Sequence, residues 1–364
     1  MSNLAALSRE LSVPGVQSNN TDIFIAGIGA VGQTLIRQIK GLSDADLFNI
    51  IGVCNSRRVL WANDEELTIN KSVLANGDVK KWDQIIKRLE PTDGKELIFV
   101  DATGNHDVAG LYLELFEKGI HVVTPSKIAN TRKQVYFDLL QKKADEQGVK
   151  FLYETNVGAG LPVLRTVRDL VRSGDIITEI SGVLSGTMTY IFSQLDAGNA
   201  FSEAVLNARQ LGYAEPDPRD DLSGEDVARK MMILSRVSGY SVEREDLDVE
   251  PIIPDELKDV DSGTFLERLP EFDQEWKDKF EKLKQSGKTL RYLGTMKKNH
   301  ISVGLQELDI DSPVARLQGT NNIIQIRTQR YNDQPLIIQG PGAGKEVTSA
   351  GVLADIRQIM RDGR

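Results

Sequence analysis

The sequence predicts an α/β protein in which an N-terminal doubly wound parallel sheet is followed by a second, α+β domain. Three observations lead to this prediction. Apolar runs of strand length alternate with helical stretches up to about residue 156, a glycine-rich turn separates the first strand from the first helix, and paired strand patterns appear after residue 290. A chain of 364 residues is long enough for two such domains.

The first unit of the sheet is a strand, a turn, a helix and a second strand. Ile23 to Ala26 form an apolar run suited to a buried parallel strand, and Phe48 to Ser56 form another. Between them, apolar residues recur at helical spacing from Val31 to Ile39. This is the context in which a glycine-rich turn binds a dinucleotide.

The turn itself, GIGAVG, has the spacing G-x-G-x-x-G. Gly27 permits the tight turn, Gly29 lets the backbone approach a pyrophosphate, and Gly32 lets helix and strand pack closely. We therefore predict a Rossmann-type domain that binds NAD or NADP, the alternative being a tight turn without a ligand. The predicted cofactor contacts in this turn are Gly27, Ile28, Gly29, Ala30, Val31 and Gly32.

The end of the second strand favours NADP over NAD. A carboxylate for the ribose is expected there, but the chain has Asn55, followed after Ser56 by Arg57 and Arg58. No carboxylate repels a 2′-phosphate, and an arginine can bind one through two hydrogen bonds. We predict that these three residues contact the cofactor; in the alternative interpretation both arginines face solvent.

Later strands end in polar residues. The runs 96–105 and 119–130 read as strands, and 150–162 as a further strand that enters a glycine turn. Because open α/β sheets bind ligands at the carboxyl ends of their strands, we predict that Thr103, Ser126 and Lys127 lie at the cofactor site.

Beyond residue 156 the pattern changes to helices and the strands of another sheet. We divide the chain into a flexible lead-in at 1–20, an NAD(P)-binding Rossmann domain at 21–156, a substrate-binding and dimerisation domain at 157–335, and a C-terminal strand and helix at 336–364 that return to the nucleotide-binding domain. The segment 241–289 is acidic and helical in tendency and carries no motif.

Composition limits the classes of partner. At a net charge of −9, neither nucleic acid nor an anionic membrane is a predicted partner, since phosphate groups require clustered cations. No apolar run approaches the ~18 residues of a membrane span, and the N-terminal sequence does not resemble a secretory signal. The single cysteine, Cys54, forms no internal disulfide, which favours a cytoplasmic location.

The stretch GYAEPDPRDDLSGEDVARK, residues 212–230, combines a helix start with a concentration of charge. Ser223 and Asp226 have the spacing of a capping box, and Asp226 lies four residues before Lys230 on one helical face. Such a surface pair is worth only ~0.3–0.5 kcal/mol, so a structural role stays open at this point. The additional acids upstream favour a site, since carboxylates bind an amino group and keep a lysine protonated as a proton donor.

This stretch resembles the signature of homoserine dehydrogenases. The segments GIGAVG, HVVTPSKIAN, ETNVGAGLPV, LSGTMTYIF and GPGAGKEVTSAGV are similar to further segments of that family, in the same order, from about residue 21 to about residue 360. The resemblance is closest to the dehydrogenase half of bifunctional aspartokinase–homoserine dehydrogenases. It implies a reversible, NAD(P)H-dependent reduction of L-aspartate 4-semialdehyde to L-homoserine in threonine and methionine biosynthesis.

The resemblance also implies roles for individual side chains. Lys230 matches the lysine that protonates the aldehyde oxygen, and Lys127 matches a lysine between nicotinamide and substrate. Glu215 and Asp226 match the residues that hold the substrate's amino group, and Asp221 matches another acid of the site.

Three further segments are implicated by the same resemblance. Thr187 belongs to a segment near the substrate's carboxylate, and the turn containing Gly340 and Gly342 returns to the cofactor. The stretch ETNVGAG matches a site for Na⁺ or K⁺ that is formed mostly by backbone carbonyls. The matching positions are Glu154, Val157, Ala159 and Leu161.

Other functions fit the sequence less well. An aspartate-semialdehyde dehydrogenase needs a cysteine nucleophile, and Cys54 lies at the end of the second strand instead of in the substrate domain. A catalytically silent nucleotide-binding sensor stays open, although it predicts the loss of Lys230, Asp226 or Lys127, which are present. The strand-rich second domain suits a homodimer or higher homo-oligomer formed by sheet packing.

Overall fold

The computed structural model describes residues 21–62, 74–92 and 94–362. The predicted lead-in at 1–20 lies outside this part of the chain. Two sheets, one of seven strands and one of six, organise the described residues.

The first sheet is the predicted nucleotide-binding sheet. Its strands are β1 (Thr21–Ala26), β2 (Phe48–Cys54), β3 (Arg58–Trp61), β4 (Asp78–Val79), β5 (Leu97–Asp101), β6 (His121–Val123) and β7 (Phe151–Leu152). Their spatial order is β4-β3-β2-β1-β5-β6-β7. Strands β2, β1, β5, β6 and β7 are parallel, which confirms the predicted sheet. Strands β3 and β4 add an antiparallel edge that the sequence did not predict.

Helices cover both faces of this sheet, so its central strand is apolar on both sides. The helices are α1 (Ala30–Lys40), α2 (Trp82–Arg88), α3 (His106–Gly110), α4 (Tyr112–Glu117) and α5 (Gln134–Glu146). In β1, Ile23 and Ile25 pack in one core cluster, Phe24 and Ala26 pack in another, and all four are fully buried. Burial on both faces explains why β1 reads as a continuous apolar run.

The second sheet is mostly antiparallel. Its strands are β8 (Ile177–Val183), β9 (Leu247–Val249), β10 (Lys288–Lys297), β11 (His300–Asp309), β12 (Asn321–Thr328) and β13 (Leu336–Pro341), in the spatial order β13-β12-β8-β10-β11-β9. The long strands were predicted. The edge strand β9, which pairs in parallel with β11, was not, because it is a three-residue strand in a segment of helical tendency.

One face of the second sheet is covered by helices. They are α6 (Val163–Arg172), α7 (Gly186–Asp196), α8 (Phe201–Gln210), α9 (Arg219–Leu222), α10 (Glu225–Val237), α11 (Ser262–Arg268) and α12 (Asp273–Gln285). Ile180, Met296 and Ile326, which are register partners on adjacent strands, are fully buried on this face.

The C-terminal segment divides between the two domains. Helix α13 (Lys345–Asp362) packs against α1, and Ser349 donates a hydrogen bond of 2.9 Å to the carbonyl oxygen of Val31. Strand β13, however, pairs with β12 in the second sheet. The structure thus differs from the predicted grouping of 336–364 with the first domain, because β13 continues the antiparallel ladder of β12. Among the described residues, no helix is long and apolar enough to cross a membrane.

Candidate active site

The glycine turn between β1 and α1 has the predicted local geometry. Gly27 has a φ of +97°, and a Cβ on it would lie 2.6 Å from the carbonyl oxygen of Ala102. A Cβ on Gly32 would lie 2.0 Å from the carbonyl oxygen of Gly27, so only glycine lets α1 pack this closely. Gly29 caps α1, and no atom of the described residues outside its own turn lies within 4 Å of its Cβ position. The turn is therefore open at the N-terminus of α1, where backbone N–H groups suit an anion.

A cleft of about 580 Å³ extends from this turn across the carboxyl ends of β1, β2 and β5. The predicted cofactor residues that line it are Gly27, Ile28, Gly29, Asn55 and Thr103. Ala30, Val31 and Gly32 lie behind it in the first turn of α1. Ser126 is buried after β6, where its Oγ accepts the N–H of Ile128 at 3.4 Å, outside the cleft wall.

Neither of the two predicted arginines, at the hairpin between β2 and β3, is among the described residues that line this cleft. Oδ1 of Asn55 accepts the backbone N–H groups of Arg57 and Arg58, each at 2.7 Å. The guanidinium of Arg58 donates to the carbonyl oxygen of Gly77 at 3.2 Å, and Arg57 is exposed outside the residues that line the cleft. Because β3 folds back antiparallel directly after Asn55, the structure does not bring either arginine to the cleft.

Lys80 is a cation that does line the cleft, and the sequence interpretation missed it. Its backbone N–H donates to the carbonyl oxygen of Arg57 at 2.9 Å, and its Nζ lies 4.6 Å from the centre of the Trp82 ring. Asn55 and Ser56 line the same wall. No motif marks Lys80, since its position depends on the short edge pairing of β3 and β4.

Lys127, Asp226 and Lys230 meet at the junction of the two domains. Lys127 follows β6, whereas Asp226 and Lys230 lie in α10. Nζ of Lys230 lies 2.7 Å from Oδ2 of Asp226, and Nζ of Lys127 lies 3.2 Å from Oδ1. Lys230 also donates to the carbonyl oxygen of Leu184 at 2.7 Å. The predicted pairing of Asp226 with Lys230 is confirmed, and a lysine from the other domain shares the same carboxylate.

The loop that carries Lys127 contacts the chain segment at one end of the cleft. This loop follows β6, which neighbours β5 in the sheet. Arg132, in the loop that carries Lys127, donates to the carbonyl oxygen of His106 at 2.6 Å. Asn105, the residue before His106, lines the cleft. A ligand that fills the cleft can therefore extend toward the lysines.

The charges of the cluster support one another. Burial opposes ionisation of Asp226, but the positive charges of Lys230 and Lys127 outweigh it and lower the pKa of Asp226 below its usual range. Burial lowers the pKa of Lys127, an effect that Asp226 opposes and Lys230 reinforces. Asp226 is therefore an anion at neutral pH, and two amines that can bind or protonate an oxygen are held on it.

Asp221 and Thr187 form a second polar group beside the first. The Thr187 hydroxyl lies 2.7 Å from the carbonyl oxygen of Tyr213 and 2.9 Å from Oδ1 of Asp221. Oδ2 of Asp221 accepts the backbone N–H of Glu215 at 2.8 Å, which brings the exposed Glu215 to this group. Burial raises the pKa of Asp221, and the negative charges of Glu215 and Asp226 raise it further, against the effect of these hydrogen bonds.

The predicted capping box at the start of α10 is wrong. The N-cap residue is Gly224, with a φ of +76°, and the Ser223 hydroxyl accepts the N–H of Glu225 at 3.3 Å instead of that of Asp226. A Cβ on Gly224 would lie 2.0 Å from the hydroxyl oxygen of Tyr292, so a side chain does not fit there. Asp226 instead directs its carboxylate to the two lysines. The residue that looked like a helix cap is thus free for the site.

Part of the charged stretch is structural. Arg219 forms a salt bridge with Asp217, with Nη2 2.6 Å from Oδ2, and donates to the carbonyl oxygen of Lys258 at 3.3 Å. These contacts hold the loop before α10 against the segment that follows β9. Hence the density of charge in the sequence has two causes, one structural and one at the site.

The segment 154–161, predicted to hold a monovalent cation, makes a compact turn just before the N-terminus of α6. Oε2 of Glu154 accepts the backbone N–H of Arg165 at 2.8 Å, and the Glu154 N–H donates to Oδ2 of Asp355 at 3.0 Å. Ala159 has a φ of +51°, an unusual conformation for a residue with a side chain. Oε1 of Glu154 is buried and has no hydrogen-bond partner among the described residues.

Gly340 and Gly342 lie at the end of β13, on the side of the second sheet. Gly340 faces the Leu161 side chain, and Gly342 is buried against the side chain of Asn322. Neither residue lines the cleft described above.

The glycine turn, the cleft and the adjacent pair of lysines define a dinucleotide-binding protein of the Rossmann class with a polar site at the domain junction. Comparison with known proteins identifies the family. Residues 27–154 match the family model of the homoserine dehydrogenase NAD-binding domain, and residues 162–357 match that of homoserine dehydrogenase. The chain belongs to the homoserine dehydrogenase family, as its resemblance predicts.

Individual relatives agree. The chain is 37% identical over 356 residues to the bifunctional aspartokinase/homoserine dehydrogenase of Haemophilus influenzae, an alignment that covers 93% of this chain and 43% of the relative. It is 36% identical over 360 residues to the homoserine dehydrogenase of Emericella nidulans, with 92% and 97% covered. A hyperthermophilic archaeal homoserine dehydrogenase, solved in complex with NADPH, superposes with a TM-score of 0.73 at 25% identity, with 94% and 98% covered. The chain thus spans less than half of the bifunctional relative.

Proposed function

We propose that the protein is a homoserine dehydrogenase, which reduces L-aspartate 4-semialdehyde to L-homoserine with NADPH or NADH and catalyses the reverse oxidation. The observation that carries this proposal is the convergence of Lys127 and Lys230 on Asp226, near the end of the cleft. A dehydrogenase of this kind needs a bound dinucleotide and a protonated amine at the carbonyl oxygen, and the described residues supply a site for both.

The cofactor, when bound, supplies the hydride that reaches the aldehyde carbon. The carbonyl π electrons then move to the oxygen, which becomes an alkoxide, and Lys230 gives that oxygen a proton. Two N–H donors of Lys230 point to Asp226 and to the carbonyl oxygen of Leu184, so the amine has a fixed position. Lys127 lies on the other oxygen of Asp226 and adds positive charge where the alkoxide forms.

The acids of the charged stretch bind the amino group of the substrate. Asp226 and Glu215 match this role in the resemblance, and the negative charges of both raise the pKa of Asp221, which accepts the Glu215 backbone N–H at 2.8 Å. The ammonium of the substrate compensates the mutual repulsion of these carboxylates. Thr187 lies at the same group and is placed near the carboxylate end of the substrate by the resemblance.

NADP is the favoured cofactor, and Lys80 is the residue that would bind its 2′-phosphate. The cleft wall at the end of β2 contains Asn55, Ser56 and Lys80. A lysine attracts a 2′-phosphate, and an asparagine does not repel it as a carboxylate would. The similar archaeal enzyme is in complex with NADPH, which supports the same choice.

A monovalent cation fits the turn at 154–161. Within the described residues, Glu154 has a buried carboxylate oxygen without a hydrogen-bond partner, and Val157, Ala159 and Leu161 offer backbone carbonyls. Such a set of oxygen ligands suits a hard cation. Burial raises the pKa of Glu154 to about 7, with the Asp355 charge adding to the effect, so a cation would favour the ionised form. The cation would anchor this turn between the domains. Comparing the rates of homoserine oxidation in NaCl, KCl and choline chloride tests whether the cation is required.

A homodimer fits the open face of the second sheet. Ser181 is the register partner of Thr295 and of Gln325, and Gln325 is the partner of Ile337. Ile337 is 47% exposed, and the other three side chains are half-buried. Packing of this face on a second copy of the chain would bury these four side chains. Light scattering on the protein as it elutes from a size-exclusion column would then give the mass of a dimer or higher homo-oligomer.

The alternative is a silent nucleotide-binding sensor of the same fold. It predicts cofactor binding without turnover. Oxidation of L-homoserine by the purified protein, followed by the absorbance of reduced cofactor, decides between the two.

A further inference from the structure

Arg236 lies at the C-terminal end of α10, fully buried, and spans the junction between the two domains. Its Nη1 donates to the carbonyl oxygens of Asn130 at 2.8 Å and Arg132 at 2.7 Å. Its Nη2 donates to the carbonyl oxygen of Val242 at 2.7 Å, and the Glu243 carboxylate lies farther away, at 3.5 Å. A guanidinium that is satisfied mainly by carbonyls fixes backbone positions, since its donors have a rigid planar arrangement.

The backbone that Arg236 holds is the loop that carries Lys127. Asn130 lies in the short helical turn that follows Lys127, and Thr131 donates its backbone N–H to the Lys127 carbonyl oxygen at 3.0 Å. On the other side, the Asn130 side chain donates to Oδ1 of Asn156 at 2.9 Å. Asn156 in turn donates to the carbonyl oxygen of Thr124 at 3.0 Å. The loop is therefore fixed to its own domain by Asn156 and to the other domain by Arg236.

The same helix carries both Arg236 and the residues that Lys127 must reach. At ~1.5 Å per residue, Arg236 lies about 9 Å along the axis of α10 from Lys230 and about 15 Å from Asp226. A helix of this length is rigid. A contact at the C-terminal end of α10 therefore determines how the Lys127 loop lies against the N-terminal end of α10. The contact of 3.2 Å between Lys127 and Asp226 depends on this alignment.

We propose that Arg236 is a positioning residue, which fixes the Lys127 loop against α10 and so holds Lys127 and Lys230 on the one carboxylate of Asp226. Arg236 touches neither lysine and acts through the backbone of residues 130–132. Its kinetic consequence rests on the proposed function, whereas its effect on the environment of Lys127 does not.

The test compares Arg236→Lys and Arg236→Gln with Arg268→Lys as a matched control. A lysine keeps the charge, and a glutamine can donate to one of the two loop carbonyls, but neither reproduces the full set of bonds. Arg268 is 39% exposed and paired with Glu271, away from the junction. Trace acetylation of the native proteins with acetic anhydride, read at Lys127 by mass spectrometry, reports the exposure of its amine. Initial rates with L-homoserine and NADP are measured on the same samples.

In both Arg236 variants we expect Lys127 to be labelled about threefold faster or more, because the amine separates from Asp226. We expect kcat to fall about tenfold with both KM values within about twofold, since misplacement by a fraction of an ångström is enough for such a loss. Unchanged labelling of Lys127, or a kcat equal to that of Arg268→Lys despite a lower melting temperature, would show that Arg236 only stabilises the fold. If the unaltered protein does not oxidise homoserine, the proposed function fails, and the labelling result still decides the role of Arg236.

Discussion

Gly32 is the position in the nucleotide-binding turn with the least room for a side chain, and Gly29 is the one with the most. A Cβ on Gly32 would lie 2.0 Å from the carbonyl oxygen of Gly27, whereas ordinary van der Waals contact begins at 3.4 Å. Gly32→Ala therefore forces the turn or α1 to move by more than 1 Å. Overpacking of this kind costs about 1–3 kcal/mol, and we expect the free energy of unfolding to fall by that amount.

Gly29→Ala separates binding from folding. Its Cβ position has no neighbour within 4 Å among the residues that the structure describes, so the alanine adds no clash with them and costs under about 1 kcal/mol as a poorer N-cap. The added methyl group projects into the space where the pyrophosphate would lie, so we expect the Kd for NADP to rise about tenfold or more. In Gly32→Ala we expect the same rise together with the loss of stability.

Urea unfolding and fluorescence titration with NADP measure the two effects. Gly110→Ala serves as the control, because its Cβ position also has no neighbour within 4 Å in the described part of the chain. If Gly29→Ala bound NADP as tightly as the unaltered protein, the pyrophosphate would not lie on this turn. If Gly32→Ala were as stable as the control, the packing argument would be refuted.

Three further predictions concern the site. Lys230→Ala should lower kcat about a thousandfold and leave the Kd for NADP within about twofold, as measured by initial rates and titration; a loss of cofactor binding would indicate a structural role. The pKa of Asp221 is raised by burial, so Asp221 takes up its proton, and loses its hold on the substrate amine, at a higher pH than an ordinary aspartate. The acid limb of kcat/KM for homoserine should therefore disappear in Asp221→Asn, and a limb that persists would belong to another group. Lys80→Ala should raise the KM for NADP about tenfold with little change in the KM for NAD. Arg58→Ala should change neither KM, because the Arg58 guanidinium is bound to the Gly77 carbonyl oxygen. The reverse result would support the prediction that the arginines bind the cofactor.

The sequence predicted those features that depend on local pattern. Gly27, Gly29 and Gly32 lie between a buried strand and a helix, so their spacing in this context indicated the turn, and its geometry is as expected. The pairing of Asp226 with Lys230 follows from their separation by one helical turn. Its position after a strand predicted Lys127 at the cofactor site, and the family resemblance added its role beside the substrate; its contact with Asp226 joins residues far apart in the chain.

Features that depend on non-local pairing could not be predicted in this way. The edge strands β3 and β4 turn Arg58 toward Gly77 and bring Lys80 to the cleft, and neither strand has a strong pattern of its own. The capping box failed because α10 begins one residue later than predicted, at Glu225, after Gly224 in a left-handed conformation that the local sequence does not specify. The role of Arg236 likewise could not be predicted from the sequence, because it depends on carbonyl partners in the other domain.

Oxidation of L-homoserine by the purified protein tests the central claim most directly. The assay follows the absorbance of reduced cofactor with NADP and NAD in parallel, in buffers that contain Na⁺ or K⁺. We expect turnover with both cofactors, a higher kcat/KM with NADP, and loss of turnover in Lys230→Ala. Tight binding of NADP without oxidation of homoserine under any of these conditions would contradict the account and favour a nucleotide-binding sensor.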